Sequence, residues 1–325
     1  MMVCVSVVVP TCKRPALLSR CLEALLTQDF VPADYEIIIV DDAACAETRH
    51  LVDHRAKRAK RCGHTVRYIP VMCSHGPAAA RNIGWQAARG EVIAFTDDDC
   101  IPTSQWLKAG LAALADGVVG VAGRIIVPLT GMPTDYEYNA SYLAQCEFAT
   151  ANCFYRRSAL MGIGGFDERF TAPWREDSDL IFTLLECGAK CTKAPDAIVI
   201  HPVRPARWGI SIYQQRKSMF NALLYKKHPA LYRQKIQAAP PWRYYCIIGA
   251  LLVVLVGATT GSGLVALVGL GLWVYLTGRF CVQRLLHTSR APRHVVEMIV
   301  TSVIIPPLAI FWRLRGAIKF RIFFL

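Results

Sequence analysis

Three short β-prone runs each stop at a polar or acidic cluster. Val3–Val9 ends at Pro10-Thr11, Glu36–Val40 at Asp41-Asp42, and Val92–Phe95 at Thr96 followed by Asp97-Asp98-Asp99. Runs that are apolar on both faces read as buried strands of a parallel sheet. Helical patterns separate them. Leu17, Leu18, Cys21, Leu22, Leu25 and Leu26 recur at helix-face spacing behind Pro15. A polar, basic helix is expected near 46–61, a strand at Val66–Ile69, and an Ala-rich helix over Gly76–Arg89. This alternation predicts an α/β domain with a mostly parallel twisted sheet flanked by helices. Ligands of such sheets bind beyond the carboxyl ends of the strands, where these polar clusters lie.

Three adjacent carboxylates repel one another and lose hydration in a cleft unless a cation or strong donors are present. A divalent metal that carries nucleotide phosphates answers this, and a solvated acidic loop is the alternative. No G-x-x-x-x-G-K-[ST] or G-x-G-x-x-G follows the first run, which argues against a P-loop or a dinucleotide-binding domain.

A second half extends over 118–203, with a strand expected at Arg124–Val127 and a glycine-rich segment at Gly162–Phe170. Leu180, Ile181, Leu184 and Leu185 then mark a helix, with Gly188 as its stop. Glu176 and Asp177 fall at its start. Carboxylates there complement the helix dipole, or one of them serves as a general base.

Charge divides the chain. Residues 1–196 hold 20 Lys/Arg against 23 Asp/Glu, whereas residues 197–325 hold 17 Lys/Arg and one acid, Glu297. The basic part also carries the longest apolar runs, and the mean hydropathy of the chain is +0.31. Bases interleaved with apolar segments point to anionic lipid. Nucleic acid does not account for the apolar runs and is not an expected partner. Tyr245–Thr277 has 33 residues without a charge, interrupted at Gly257–Gly263. It suits a tight hairpin or one long tilted helix. Val295–Trp312 is a second apolar segment, broken by Pro306-Pro307. Placing both basic clusters on the cytoplasmic side favours two membrane hairpins, or one hairpin followed by an embedded, non-spanning segment. Residues 204–243, with nine Lys/Arg and six aromatic residues spread among them, suit an interfacial helix. The 13 scattered cysteines read as reduced thiols of a cytoplasmic domain. Val3–Val9 reads as the first strand and not as a leader, since no basic segment precedes it.

Six segments in consistent order resemble the family 2 glycosyltransferases, which have the GT-A nucleotide-sugar fold. They are Val-Ser-Val-Val-Val-Pro-Thr (5–11), Ile-Val-Asp-Asp (39–42), Ala-Arg-Asn-Ile-Gly (80–84), Gly-Glu-Val-Ile-Ala-Phe-Thr-Asp-Asp-Asp (90–99), Gly-Gly-Phe-Asp-Glu (164–168) and Arg-Glu-Asp-Ser-Asp-Leu (175–180). The resemblance covers roughly residues 3–203. It implies that Pro10, Thr11, Asp42, Arg81, Asp97 and Asp98 contact the nucleotide-sugar donor. It also implies that Asp97 and Asp99, as a D-x-D motif, approach Mg²⁺ or Mn²⁺. Glu176 and Asp177 map onto the acid pair near the acceptor, with Asp177 as the base. His201, after Ala197–Ile200, fits a further metal ligand or, on its residues alone, a polar strand end. The family often has an aromatic residue and an asparagine after Pro-Thr, where this chain has Cys12-Lys13. Lys13 or Arg14 then reaches a phosphate or stays solvated.

The expected organisation is a GT-A domain over 1–203, a basic aromatic linker over 204–243 and membrane-associated helices over 244–325. The expected function is a membrane-bound, metal-dependent, inverting glycosyltransferase. Its acceptor would be lipid-linked or a saccharide, and its catalytic domain would lie on the cytoplasmic side of a cell (inner) membrane. The alternatives are a nucleotidyltransferase with a similar nucleotide domain, and an inactive membrane-anchored sugar-nucleotide-binding protein.

Overall fold

Burial on both faces, which the apolar runs demand, is met among the described residues by a single sheet of eight strands. The computed structural model describes residues 3–73 and 75–324. In chain order the first elements are β1 (Val5–Thr11), α1 (Pro15–Leu26), β2 (Tyr35–Asp41), α2 (Ala46–Lys60), β3 (Thr65–Pro70) and α3 (Pro77–Gln86). Next come β4 (Val92–Phe95), β5 (Ile101–Pro102), α4 (Trp106–Ala112), β6 (Val118–Ile126) and α5 (Asp135–Ser141). β7 (Cys153–Arg156), α6 (Arg157–Ile163), α7 (Glu176–Glu186) and β8 (Lys190–Ile200) complete the sheet and its cover. The remaining helices are α8 (Ile210–Gln214), α9 (Phe220–Lys227), α10 (Pro229–Lys235), α11 (Trp242–Thr259), α12 (Gly263–Leu285) and α13 (Pro292–Phe320).

The chain divides into two units, Met1–Pro128 with Tyr142–Pro202 and Leu129–Ser141 with Val203–Leu325. In the first, the strand order is β3-β2-β1-β4-β7-β6-β8-β5. β3, β2, β1 and β4 are parallel, as their apolar runs predict. The sheet as a whole is mixed, because β7 runs antiparallel to both β4 and β6. Four residues of β7 carry no sign of their direction, which is set by the edge left open beside β4.

A buried polar knot ties the sheet together. Ser6 and Glu36 face each other in register, and Ser6 Oγ donates to Glu36 Oε1 at 2.8 Å. Arg67 and Arg89 pair with Glu36 Oε2 at 3.1 and 2.9 Å. Burial pushes the Glu36 carboxyl up, but hydrogen bonds from Arg89, Ser6 and Arg67 outweigh it and hold its pKa below the ordinary value.

In the second unit, Tyr245–Thr277 resolves into a helical hairpin, α11 and α12, turning at Thr260-Gly261-Ser262. Pro306-Pro307 does not make a turn: both prolines lie inside the continuous 29-residue α13. Each removes one helical N–H, and a helix packed by its neighbours tolerates that loss. Segment 204–243 is not one helix. It breaks where Pro229 follows His228, whose φ of −132° and ψ of 62° leave the helical region. Among the described residues α11, α12 and α13 are long and apolar enough to cross a membrane.

Candidate active site

Parallel pairing puts the carboxyl ends of β1, β2 and β4 side by side. Thr11 is in register with Asp41, and Val8 with Phe95, so the loops after the three strands share one rim. The two acids after β2 then diverge. Asp41 is fully buried and holds the loop together: Ala43 N and Cys45 N donate to its carboxylate at 3.0 and 2.8 Å, and Tyr68 Oη donates at 2.9 Å. Asp42 turns the other way, accepting from Gly76 N at 3.1 Å, with His75 Nδ1 also at 3.1 Å. His75 was not legible as a site residue; its place ahead of the α3 helix is its only sequence signal.

The three aspartates have different nearest partners, with Arg14 reaching both Asp98 and, at 3.8 Å, Asp99. Asp97 Oδ1 accepts from Arg81 Nη2 at 2.9 Å. Asp98 is buried, accepting from Thr11 Oγ1 at 2.6 Å and pairing with Arg14 at 3.0 Å. Asp99 Oδ1 lies 3.4 Å from His201 Nε2, a histidine delivered by the end of β8. Burial works to raise the Asp97 pKa, but Arg81 and His201 outweigh it and hold it below the usual range. Asp98 goes the other way: burial pushes it up to about 6 against the pull of Arg14 and Thr11. Thr11, expected to face the donor, therefore also holds the central aspartate together with Arg14, which neither stays solvated nor is free for a phosphate alone, while Pro10 sits buried in β1.

Arg81, also expected at the donor, is buried and uses its other nitrogen, Nη1, on Glu176 Oε1 at 2.9 Å. Glu176 Oε2 is buried with no hydrogen-bond partner among the described residues. Burial pushes this carboxyl up to about 7 despite Arg81, and the Asp177 charge adds to the rise. Asp177 is half-buried, and its Oδ1 accepts from Ser178 N at 2.6 Å. Both acids open α7, where the free N–H groups and dipole favour carboxylates. The residue before them, Arg175, has φ +76° in the left-handed region and stacks its guanidinium 4.6 Å from the Trp174 ring. Such backbone strain in a non-glycine residue costs on the order of 1–3 kcal/mol and clusters at functional sites.

Two of the recognised segments act structurally. Asn82 donates to Phe166 O at 2.8 Å and accepts from Phe166 N and Trp85 Nε1 at 2.9 Å, locking 80–84 onto 164–168. Gly165, at φ +77°, comes so near that a Cβ would lie 2.6 Å from Asn82 Oδ1. This lock seats Phe166 under Arg81, whose guanidinium carbon is 5.9 Å from the ring centre.

For a metal, one carboxylate and one imidazole meet. Asp99 and His201, with Cys100, place potential ligand atoms within 4.8 Å of one another. Cys100 is fully buried, and burial holds its thiol well above the ordinary pKa, so it stays a thiol. The carboxylate oxygen suits Mg²⁺ or Mn²⁺, and Mg²⁺ takes few protein ligands and completes its shell with phosphates and water.

The helix-flanked sheet, with parallel strands ending in this acidic cleft, has the GT-A type of fold. Residues 6–166 match glycosyl transferase family 2, and the chain carries that family's domain. The match stops short of Glu176, Asp177 and His201. The chain is similar to glycosyltransferase AglE of Haloferax volcanii, 26% identical over 213 residues, which cover 62% of this chain and 67% of that protein. It is also similar to the pre-mycofactocin glycosyltransferase of Mycobacterium tuberculosis, 32% identical over 222 residues, covering 63% of this chain but 44% of that protein. The chain thus spans about two thirds of one relative's length and less than half of the other's. In fold it resembles the mannosyltransferase PcManGT from Pyrobaculum calidifontis in complex with GDP-Man and Mn²⁺. The TM-score is 0.55 at 18% identity, over 98% of this chain and 86% of that one.

Proposed function

We propose that this chain is a membrane-bound, metal-dependent, inverting glycosyltransferase that moves a sugar from a nucleoside-diphosphate sugar to a hydroxyl acceptor. The observation that carries it is the double bridge from Arg81 to Asp97 and Glu176, which ties the donor aspartates to the acid pair that opens α7. Asp42 receives the nucleoside end of the donor. Asp99 and His201 would hold Mg²⁺ or Mn²⁺, and Asp97 would face the ribose and diphosphate. When bound, the metal supplies charge neutralisation for the departing diphosphate.

Asp177 takes the proton of the acceptor hydroxyl. The freed oxygen forms its bond to the anomeric carbon as the bond to the diphosphate oxygen breaks. The electron pair leaves with the nucleoside diphosphate, and one in-line displacement inverts the anomeric centre. Glu176, buried and bridged to Arg81, backs Asp177 as the inner member of the acid pair.

The basic, aromatic segment 204–243 and the apolar helices support a lipid surface as a partner, on the cytoplasmic face of the membrane by the positive-inside rule. The acceptor is then lipid-linked or a saccharide end. Product analysis tests the reaction: nucleoside diphosphate and a glycosylated acceptor are expected. Release of inorganic diphosphate would indicate attack at phosphorus and overturn the reading.

A further inference from the structure

α13 is apolar enough to count as a third membrane span, yet its packing argues for another placement. We infer that α13 lies along the bilayer surface, with a lipid-facing stripe, and does not cross the membrane; this rests on the membrane reading above.

Exposure along α13 follows one face of a helix. Val296, Ile299, Val303, Phe311, Leu314 and Ile318 are exposed, and Arg293 and Lys319 close the stripe at its two ends. The opposite face is buried from His294 to Gly316. A helix with one apolar face and basic ends suits the plane of an interface.

What the buried face packs on separates a surface helix from a span. Near its start, Glu297 accepts from Gly209 N at 2.7 Å, and His294 Nε2 accepts from Asp135 N at 2.9 Å. Arg284 donates to Thr301 Oγ1 and Ser302 Oγ at 2.7 and 3.0 Å while paired with Asp135 at 2.7 Å. Near its end, Lys226 Nζ donates to Phe320 O at 2.8 Å, and Arg313 Nη1 donates to Gln237 Oε1 at 3.3 Å. Gly316 fits so closely that a Cβ would lie 2.4 Å from Met219 O. Both ends of α13 therefore rest on the basic segment 209–237. A helix of 29 residues is about 44 Å long. Spanning would carry this charged bed through a hydrocarbon core of about 30 Å.

The hairpin is built differently. Its legs pack on each other, and a Cβ on Gly257 would lie 2.3 Å from Ala266 N. Leu252, Leu255, Leu264, Leu267 and Leu272 are exposed. α13 joins the hairpin near its open end, where Ile305 meets Ile247 and Phe280. A third span would lie along the legs toward Gly261, whereas Thr301, Ser302 and Ile305 of α13 meet Arg284, Ile247 and Phe280 toward the open end. Laid flat, α13 also keeps Arg315, Lys319 and Arg321 on the same side as Arg279, Arg290 and Arg293, where the cytoplasmic leaflet is anionic. That charge match, and an apolar surface continuous with the hairpin, identify the occupant of the stripe as lipid.

The test uses the full chain with a protease-cleavable tag at each end, in sealed vesicles of one orientation. Both tags should be cut from the same side, because α11 and α12 return the chain to the side it left. Cleavage of one tag with protection of the other would overturn the inference. Flotation comes first: a chain absent from the floated vesicles would remove the membrane reading itself. Nitroxides at Val296→Cys, Ile304→Cys and Ile318→Cys, with the exposed native cysteines replaced, give a second readout. Equal immersion depths are expected, and a profile deepest at Ile304 with both ends in water would overturn the surface placement.

Discussion

One guanidinium joins Asp97 to Glu176. Arg81 donates from Nη2 to the first and from Nη1 to the second, each at 2.9 Å, and all three belong to different elements of the cleft. Asp97 follows β4, Arg81 lies on α3, and Glu176 opens α7. Asp97 and Glu176 hold Arg81 above its ordinary pKa despite burial, so the bridge keeps its positive charge.

Replacing that cation separates folding from catalysis. Arg81→Met leaves the buried Glu176 and the partly exposed Asp97 without their shared cation and should destabilise the first unit by about 3 kcal/mol in denaturant unfolding. Arg81→Lys keeps the charge without the two-pronged geometry. It should unfold closer to the parent but lose on the order of 10²-fold in turnover, as a misplaced acid would. Parent-like turnover in Arg81→Lys would show that the bridge does not position Glu176.

Asp177→Asn preserves shape and removes the proton acceptor. Turnover should fall at least about 10²-fold, while donor binding measured by calorimetry stays unchanged. Near-normal turnover would remove Asp177 from its assigned role.

The metal pair is checked without turnover. Asp99→Ala and His201→Ala should each weaken Mn²⁺-dependent binding of a nucleoside diphosphate by more than the roughly 10–100-fold seen when only a supporting residue is lost. Binding without added metal should be little changed. Unaltered Mn²⁺ dependence in both variants would exclude this pair as the ligands.

Glu36 gives a pH dependence away from the cleft. Its folded pKa is lowered below 4.5, so its contribution to stability is fully present above about pH 4.5. It is lost as pH falls through the folded value, where Arg67 and Arg89 lose their charged partner. Thermal unfolding should therefore show the parent losing stability below about pH 4.5, and Glu36→Gln losing less over the same range. Parallel curves would show that Glu36 does not carry this dependence.

The apolar runs at Val5–Val9, Ile37–Val40 and Val92–Phe95 announce their strands because a buried strand needs only its own side chains to be apolar. The rim of acids at their carboxyl ends was legible for the same reason. Asp41 and Asp42 were not separable. Both are acids at one strand end, and only the turn through Ala43–Cys45 sends one inward to bind backbone N–H groups. Arg81 was legible as a polar residue in a recognised segment, but its two partners lie far along the chain. Arg14 and His75 carry no pattern of their own. In the basic third, hydropathy identified two apolar segments, the first interrupted at Gly257–Gly263. It could not distinguish α13 from α11 and α12, since hydropathy counts residues and ignores what the other face touches.

By itself the sequence determined the parallel half of the sheet, the acidic cleft at its edge and the division into an acidic first part and a basic, apolar second part. These follow from periodicity and composition, which each segment carries alone. Tertiary structure decided the reversed direction of β7, the bridge through Arg81, the meeting of Asp99 with His201, the docking of 129–141 beside α12 and α13, and the face that α13 leaves open. Each depends on which distant groups share a buried volume. There a charge must find its partner or remain unsolvated, and no local pattern encodes that choice.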